Sequence, residues 1–239
     1  MLVTTKAIVI SKLKYRDNDL IVKCYTEHFG IQSYLLRGIL KSKKGKLRTA
    51  YFQLLSQLEI IVNYRQKRSL QSITEVKPFA FYQSIYSNVA KSAIAMFLAE
   101  VLSSILKEEE KNHPLFTYLE TTFMWLDTND DISNFHLLFL INLSRYLGFY
   151  PDLTSSSRDV FNLEDGKFQT QRTNLYCISG DELTQFKHLL GINFDAINSV
   201  HISSKKRQEL LNIILLYFEL HLGSLKKPRS LQVLNQVFA

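Results

Sequence analysis

Lys41-Ser42-Lys43-Lys44-Gly45-Lys46-Leu47-Arg48 places five cations in eight residues. Lysines in such a run meet phosphates without a fixed geometry, so the chemistry on offer is neutralisation of a polyanion rather than bond making. Arg37 stands just before the run. Three further basic groups lie in the same third of the chain: Lys12, Lys14 and Arg16; Lys23; and Arg65, Lys67 and Arg68. The plain alternative for each is a solvated charge kept for solubility. Aromatic residues interleave with them: Tyr15, Tyr25, Phe29, Tyr34, Tyr51, Phe52 and Tyr64. An exposed ring stacks on an unpaired base at about 1–3 kcal/mol. Most rings in a small barrel instead fill its core, so only Tyr15 and Tyr34 are candidates for stacking.

Catalytic patterns are missing. The chain contains no G-x-S-x-G, G-x-x-x-x-G-K-[ST], H-E-x-x-H or G-x-G-x-x-G. Asp17 with Asp19 and Asp130 with Asp131 are close carboxylate pairs of a kind that two-metal nucleases use. Each pair falls where a turn or a helix cap is expected, and Asp is an ordinary residue there. His28, His113, His136, His188, His201 and His221 show no ligand spacing. The reading is a binding protein without catalytic residues, metal or other cofactor; a metal-dependent nuclease is the enzyme alternative.

The charge is divided unevenly. Residues 1–77 carry 15 Lys/Arg and 5 Asp/Glu, a net +10, whereas residues 78–239 come to −3. A domain that neutralises a polyanion needs such an excess. Cys24 and Cys177 are distant in sequence and form no C-x-x-C, which fits a reducing compartment. The N-terminus lacks the charged and apolar regions of a signal peptide, and no apolar run approaches membrane-spanning length. The expectation is a cytoplasmic protein that does not engage membranes.

The hydrophobic period changes near Pro78. Before it, Leu20, Val22 and Cys24 alternate with Ile21, Lys23 and Tyr25, and Leu58, Ile60, Val62 and Tyr64 alternate with their neighbours. Period two with β-branched and aromatic residues means strands, expected over residues 3–11, 19–26, 30–37, 57–65 and 70–76. Five short strands in under eighty residues suggest a small barrel, and an OB-fold is the nucleic-acid-binding solution. After Pro78, Ile94, Phe97, Leu98, Val101, Leu102 and Ile105 make a helical stripe. Further helices are expected over residues 114–126, 132–147 and 205–222, with a short one after Pro228 and another opening at the capping-box spacing Ser179-Gly180-Asp181-Glu182. The fold class is therefore α+β: an OB-fold domain over 1–78, a helical bundle over 79–239, and an irregular insert at 151–178.

The arrangement resembles the RecO family of recombination mediators over nearly the whole chain. Tyr25-Thr26-Glu27-His28-Phe29-Gly30, Leu36-Arg37-Gly38 and the lysine run resemble that family's Thr, turn glycine, strand, glycine and basic stretch. Tyr146-Leu147-Gly148-Phe149-Tyr150-Pro151-Asp152-Leu153 resembles the segment before its zinc knuckle. His221-Leu222-Gly223 and Arg229-Ser230-Leu231 resemble its C-terminal signature. The resemblance implies a nucleoid-associated repair and recombination accessory that binds single- and double-stranded DNA and anneals strands. It also implies pairing with RecR, contact with the C-terminal tail of single-stranded-DNA-binding protein, and help in forming the RecA filament. A groove for that acidic tail would need a basic rim, for which Lys91, Arg145 or Lys187 are candidates.

One departure stands out. Many members of that family carry two C-x-x-C pairs after the Pro-Asp-Leu segment, but residues 153–178 here contain only Cys177. A structural zinc site takes four ligands, so no zinc is expected, and Phe161, Leu163, Phe168, Leu175 and Tyr176 are expected to form a miniature core instead. The alternative function is a helical adaptor whose basic barrel binds RNA or a ribosomal surface.

Overall fold

The computed structural model describes residues 1–41, 47–65, 68–107, 110–223 and 225–239. Strands β1 (Leu2–Tyr15), β2 (Asp19–Thr26), β3 (Gly30–Leu36), β4 (Gln57–Asn63), β5 (Leu70–Gln71) and β6 (Ile73–Pro78) form one sheet in the order β5-β3-β2-β1-β4-β6. All neighbours are antiparallel except β3 and β5. Opposed residues share a face, and the register sets Ala7 against Leu58, Val9 against Cys24, Val22 against Tyr34 and Leu20 against Leu36. These residues, with Phe52 and Ile39 from the segment after β3, make the buried interior of a curled, OB-like half-barrel. A bulge between Val9 and Ser11 sharpens the curl.

Two strand expectations change. β1 runs to Tyr15 rather than Ser11, because its last residues pair with β2 while standing in solvent and so carry no apolar alternation. The segment expected as one strand over 70–76 is two: β5 pairs with β3 and β6 with β4, with Ser72 between them.

Helices α1 (Val89–Ile105) and α2 (His113–Thr128) belong to the same compact unit as the sheet, which spans Met1–Thr128. Asn88 caps α1 by accepting from the N–H groups of Ala90 and Lys91. The stripe from Ile94 to Ile105 is buried. The outer face of the sheet meets these helices through Lys6 to Glu120 at 2.8 Å, Lys23 Nζ to the Ser103 carbonyl at 3.1 Å, and Tyr25 against Phe116. The Asp127 carboxylate accepts from the N–H groups of Gln83, Ser84 and Ile85, which fixes the path from β6 into α1.

The second unit spans Asn129–Ala239. It holds α3 (Phe135–Tyr146), α4 (Gly180–His188), α5 (Ser204–Leu222) and α6 (Leu231–Val237). α5 buries Leu210, Leu211, Ile214, Leu215, Tyr217 and Phe218, and ends at Gly223 in the left-handed region. Ser179 occupies the N-cap position of α4, but its hydroxyl makes no capping bond, so the expected capping box does not form. The insert is more regular than expected: β7 (Val160–Asn162), β8 (Lys167–Gln169) and β9 (Cys177–Ser179) make a small antiparallel sheet in the order β8-β7-β9. Phe161, Leu163 and Phe168 form its core as expected, whereas Leu175 and Tyr176 are 97% and 39% exposed. Phe186 and Tyr217 take their places against Phe161, because α4 and α5 supply larger faces than the 170–176 turn can.

In this cysteine-poor insert a buried asparagine organises the turn. Asn162 accepts from the N–H groups of Glu164 and Asp165 and donates to Asp165 and Thr173 side chains at 2.7 and 3.2 Å. Gln169 Nε2 reaches Cys177 Sγ at 3.2 Å, and Arg172 donates to the Cys177 carbonyl. Gly166 turns at φ +65°, and an added Cβ there would stand 3.0 Å from the Tyr217 hydroxyl.

Candidate nucleic-acid interface

β4 begins at Gln57, opposite Ile8, so the second half of β1 has no strand on that edge. Ser56 and Leu55 make the last backbone bonds there, both to Val9. Lys12 and Lys14 share the inward face with Val22 and Leu20, yet both are exposed because the barrel wall stops short of them. The β1–β2 turn is tied to the segment after β3: Gly38 N–H donates to Asp19 Oδ1 at 2.8 Å, and Leu40 N–H to the Asn18 carbonyl at 3.0 Å. Arg16 (φ 53°), Arg37 and Lys41 are thereby gathered at the same end of the sheet as Lys14.

Lys12, Lys14, Arg16, Arg37, Lys41 and Arg48 are all exposed, and none makes a salt bridge among the described residues. The cations on the outer face behave differently. Lys6 pairs with Glu120 and Lys77 with Glu59 at 2.7 Å. Lys6 and Lys77 are thus neutralised on the outer face, whereas the cations at the β1–β2 end make no salt bridge among the described residues. Asp19 is committed to Gly38, a structural use of its carboxylate, and Asp17 lies in the exposed turn.

Several expected residues lie elsewhere. Lys43, Lys44, Lys46 and Lys67 fall outside the described residues. Arg65 and Arg68 are exposed, but follow β4 at the opposite end of β1, where Asn63 faces Leu2 and Tyr64 stacks on Phe29 at 4.2 Å. The Gln71 side chain holds that turn by donating to the carbonyls of Arg65 and Arg68. Lys23 is a correction: its ammonium is turned onto the Ser103 carbonyl, and burial, with Lys107 nearby, lowers its pKa. Tyr34 is another, since its ring is 1% exposed inside the barrel, opposite Val22, and offers no face to a base. Tyr15 is 37% exposed, with the Arg16 guanidinium 5.2 Å from its ring centre.

Of the rim candidates, Lys91 is corrected: it is 1% exposed and its ammonium donates to Ser84 Oγ and the Asp127 carbonyl at 2.7 and 2.8 Å. Arg145 is exposed and lies over Tyr150 at 4.4 Å. Lys187 is half-buried and donates to the Arg158 carbonyl at 2.8 Å. Sequence reasoning missed Leu13, an exposed leucine between two lysines on a strand; its signal was an apolar residue past the end of the core alternation. Among the described residues no helix is long and apolar enough to cross a membrane.

Comparison with known proteins adds an independent line. Residues 1–82 match the family model described as the N terminal of recombination protein O, and residues 86–231 match the one described as its C terminal. The chain is 48% identical over 238 residues to the DNA repair protein RecO of Christiangramia forsetii. It is 42% identical to that of Flavobacterium psychrophilum and 38% to that of Bacteroides fragilis. Each comparison covers all of both chains.

Proposed function

The chain belongs to the RecO family, and from that premise we propose that it is a DNA repair and recombination accessory that binds DNA phosphates at the β1–β2 end of its half-barrel. The observation that carries this reading is the set of exposed cations Lys12, Lys14, Arg16, Arg37, Lys41 and Arg48, which make no salt bridge among the described residues, whereas Lys6 and Lys77 on the outer face are paired. Contacts of this kind are sequence-independent and serve single- and double-stranded DNA alike. A cationic surface also screens the repulsion between two strands, which suits annealing. Work with RecR, with the tail of single-stranded-DNA-binding protein and in forming the RecA filament is the family's role, carried over here as part of the proposal. So is a cytoplasmic site of action on the nucleoid.

A second reading rests on the same edge. Beyond Ser11, β1 exposes backbone groups, and lysines on a bare edge block pairing with other chains. The two readings part in one experiment on the full chain: fluorescence anisotropy with labelled oligo-dT and a duplex of equal length. Lys12→Glu, Lys14→Glu and Arg37→Glu together should weaken both by more than about tenfold, while Lys226→Glu with Lys227→Glu changes little. The second pair suits as a control because both lysines are exposed and belong to the second unit rather than to the half-barrel. Unchanged affinity with new aggregation in the triple variant would instead support the edge-guard reading.

A further inference from the structure

β1 outruns its neighbour on one side. β4 pairs with it from Leu2 to Ile8, and the last backbone bonds on that edge run from Val9 N–H to the Ser56 carbonyl and from Leu55 N–H to the Val9 carbonyl. Among the described residues no backbone group bonds to that edge over residues 11–15, which pair with β2 on the other side. The bonding groups of an antiparallel strand point alternately to its two edges. Val9 directs its pair to the β4 side, and the bulge before Ser11 resets the alternation. Ser11 and Leu13 then face Lys23 and Ile21 with their bonding groups, and the N–H and C=O groups of Lys12 and Lys14 point along the free edge.

The two faces of this edge differ in kind. Lys12 and Lys14 stand on the inward face, opposite Val22 and Leu20, and are exposed. Leu13 and Tyr15 stand on the other face, where Leu13 lies opposite Ile21 and Ile21 opposite Leu35. Leu13 is 65% exposed and Tyr15 37%. A strand laid along the edge in the direction of β4 would meet the lysines with one set of alternate side chains and the apolar row with the other. A second copy of β1 does not fit, because antiparallel pairing about Leu13 sets Lys12 against Lys14, and like charges directly opposite repel. The occupant that suits both faces carries a carboxylate at every second residue and an apolar side chain between. We propose that residues 11–15 of β1 accept an extended segment of a partner protein, added antiparallel as a strand, in which acidic and apolar residues alternate. Main-chain bonds to Lys12 and Lys14 supply the hold, and the alternation supplies the selection. The proposal goes beyond the DNA-binding reading and is tested without DNA, so either can fail alone.

The test uses the full chain and short labelled peptides, read by fluorescence anisotropy. The peptides are capped at both ends, so that no terminal carboxylate contributes. A peptide alternating Glu and Val should bind on the order of tenfold more tightly than one with the same residues in two blocks. In an antiparallel pair, the residues opposite Lys12 and Lys14 are the ones whose N–H groups face β1. N-methylation of the Glu amides should therefore abolish binding, whereas N-methylation of the Val amides should leave it intact. Lys12→Glu with Lys14→Glu should reject the Glu-Val peptide and accept its Lys-Val counterpart. Equal affinity for the alternating and block peptides would overturn the proposal, leaving charge attraction alone. So would two N-methylated forms that bind alike, binding of the Glu-Val peptide that survives Lys12→Glu with Lys14→Glu, or no binding of any peptide.

Discussion

The Lys91 ammonium lies 2.8 Å from the backbone carbonyl of Asp127, and the two residues are only 1% and 5% exposed. Ser84 joins them, its hydroxyl accepting from Lys91 while its N–H reaches the Asp127 carboxylate. One buried cluster therefore fixes where the chain leaves the sheet and where α1 and α2 begin and end. Asp127→Ala removes the acceptor of three backbone N–H groups and should cost about 3–5 kcal/mol, read by urea unfolding. Burial acts to raise the Asp127 pKa, but the hydrogen bonds from Gln83, Ser84 and Ile85 outweigh it and hold the carboxyl below its usual value. Its contribution is then full above about pH 4 and lost as the pH falls through the lowered folded value.

His136 sets a second, wider pH dependence. Burial, and then the Arg207 charge, bring its pKa down to about 3. The unfolded chain takes up that proton near pH 6.5, so between about 6.5 and 3 the unfolded state binds more protons. Stability should fall with falling pH by about 1.4 kcal/mol per unit across that window. His136→Leu should flatten the slope, and an unchanged slope would assign the acid lability to another group.

The two tyrosines proposed from sequence should separate cleanly. Tyr34→Ala opens a cavity in the barrel and should cost about 3–5 kcal/mol. Tyr15→Ala should leave the melting temperature within a degree or two and weaken oligo-dT binding several-fold. Thermal melting and anisotropy on the same samples check both.

The small sheet of the second unit should stand without metal. Asn162→Ala leaves the N–H groups of Glu164 and Asp165 without their acceptor and should destabilise by about 1–3 kcal/mol. Gly166→Ala meets both a positive φ and the Tyr217 hydroxyl, and should also lower the melting temperature. A strong chelator should leave the wild-type melting temperature unchanged; a marked drop would contradict the role given to Asn162.

The sequence was readable where one face of an element is buried. Period two marked β2 and β4, period 3.6 marked α1, and the expected 19–26 strand has the observed bounds. Legibility failed where neither face is buried, as at Lys12–Tyr15, or where one strand serves two partners, as at β5 and β6. The charge excess marked the half-barrel as the basic part of the chain, but burial sorted its members. Lys23 alternates with core residues and turns to α1, and Tyr34 falls on the inward face of β3, which follows only from the register with Val22. Lys91 sits one turn inside α1, and nothing local reveals that Asp127, 36 residues later, draws it into the core.

The most direct measurement is the affinity of the full chain for oligo-dT across a salt series. Each phosphate contact on a single strand contributes a slope of about −0.7 in log K against log salt. The wild-type protein should fall steeply, with a slope of about −3 or beyond, and Lys12→Glu, Lys14→Glu and Arg37→Glu together should flatten it by about 2. Salt-independent binding, or a slope that the triple variant leaves untouched, would contradict the β1–β2 end of the half-barrel as the DNA site.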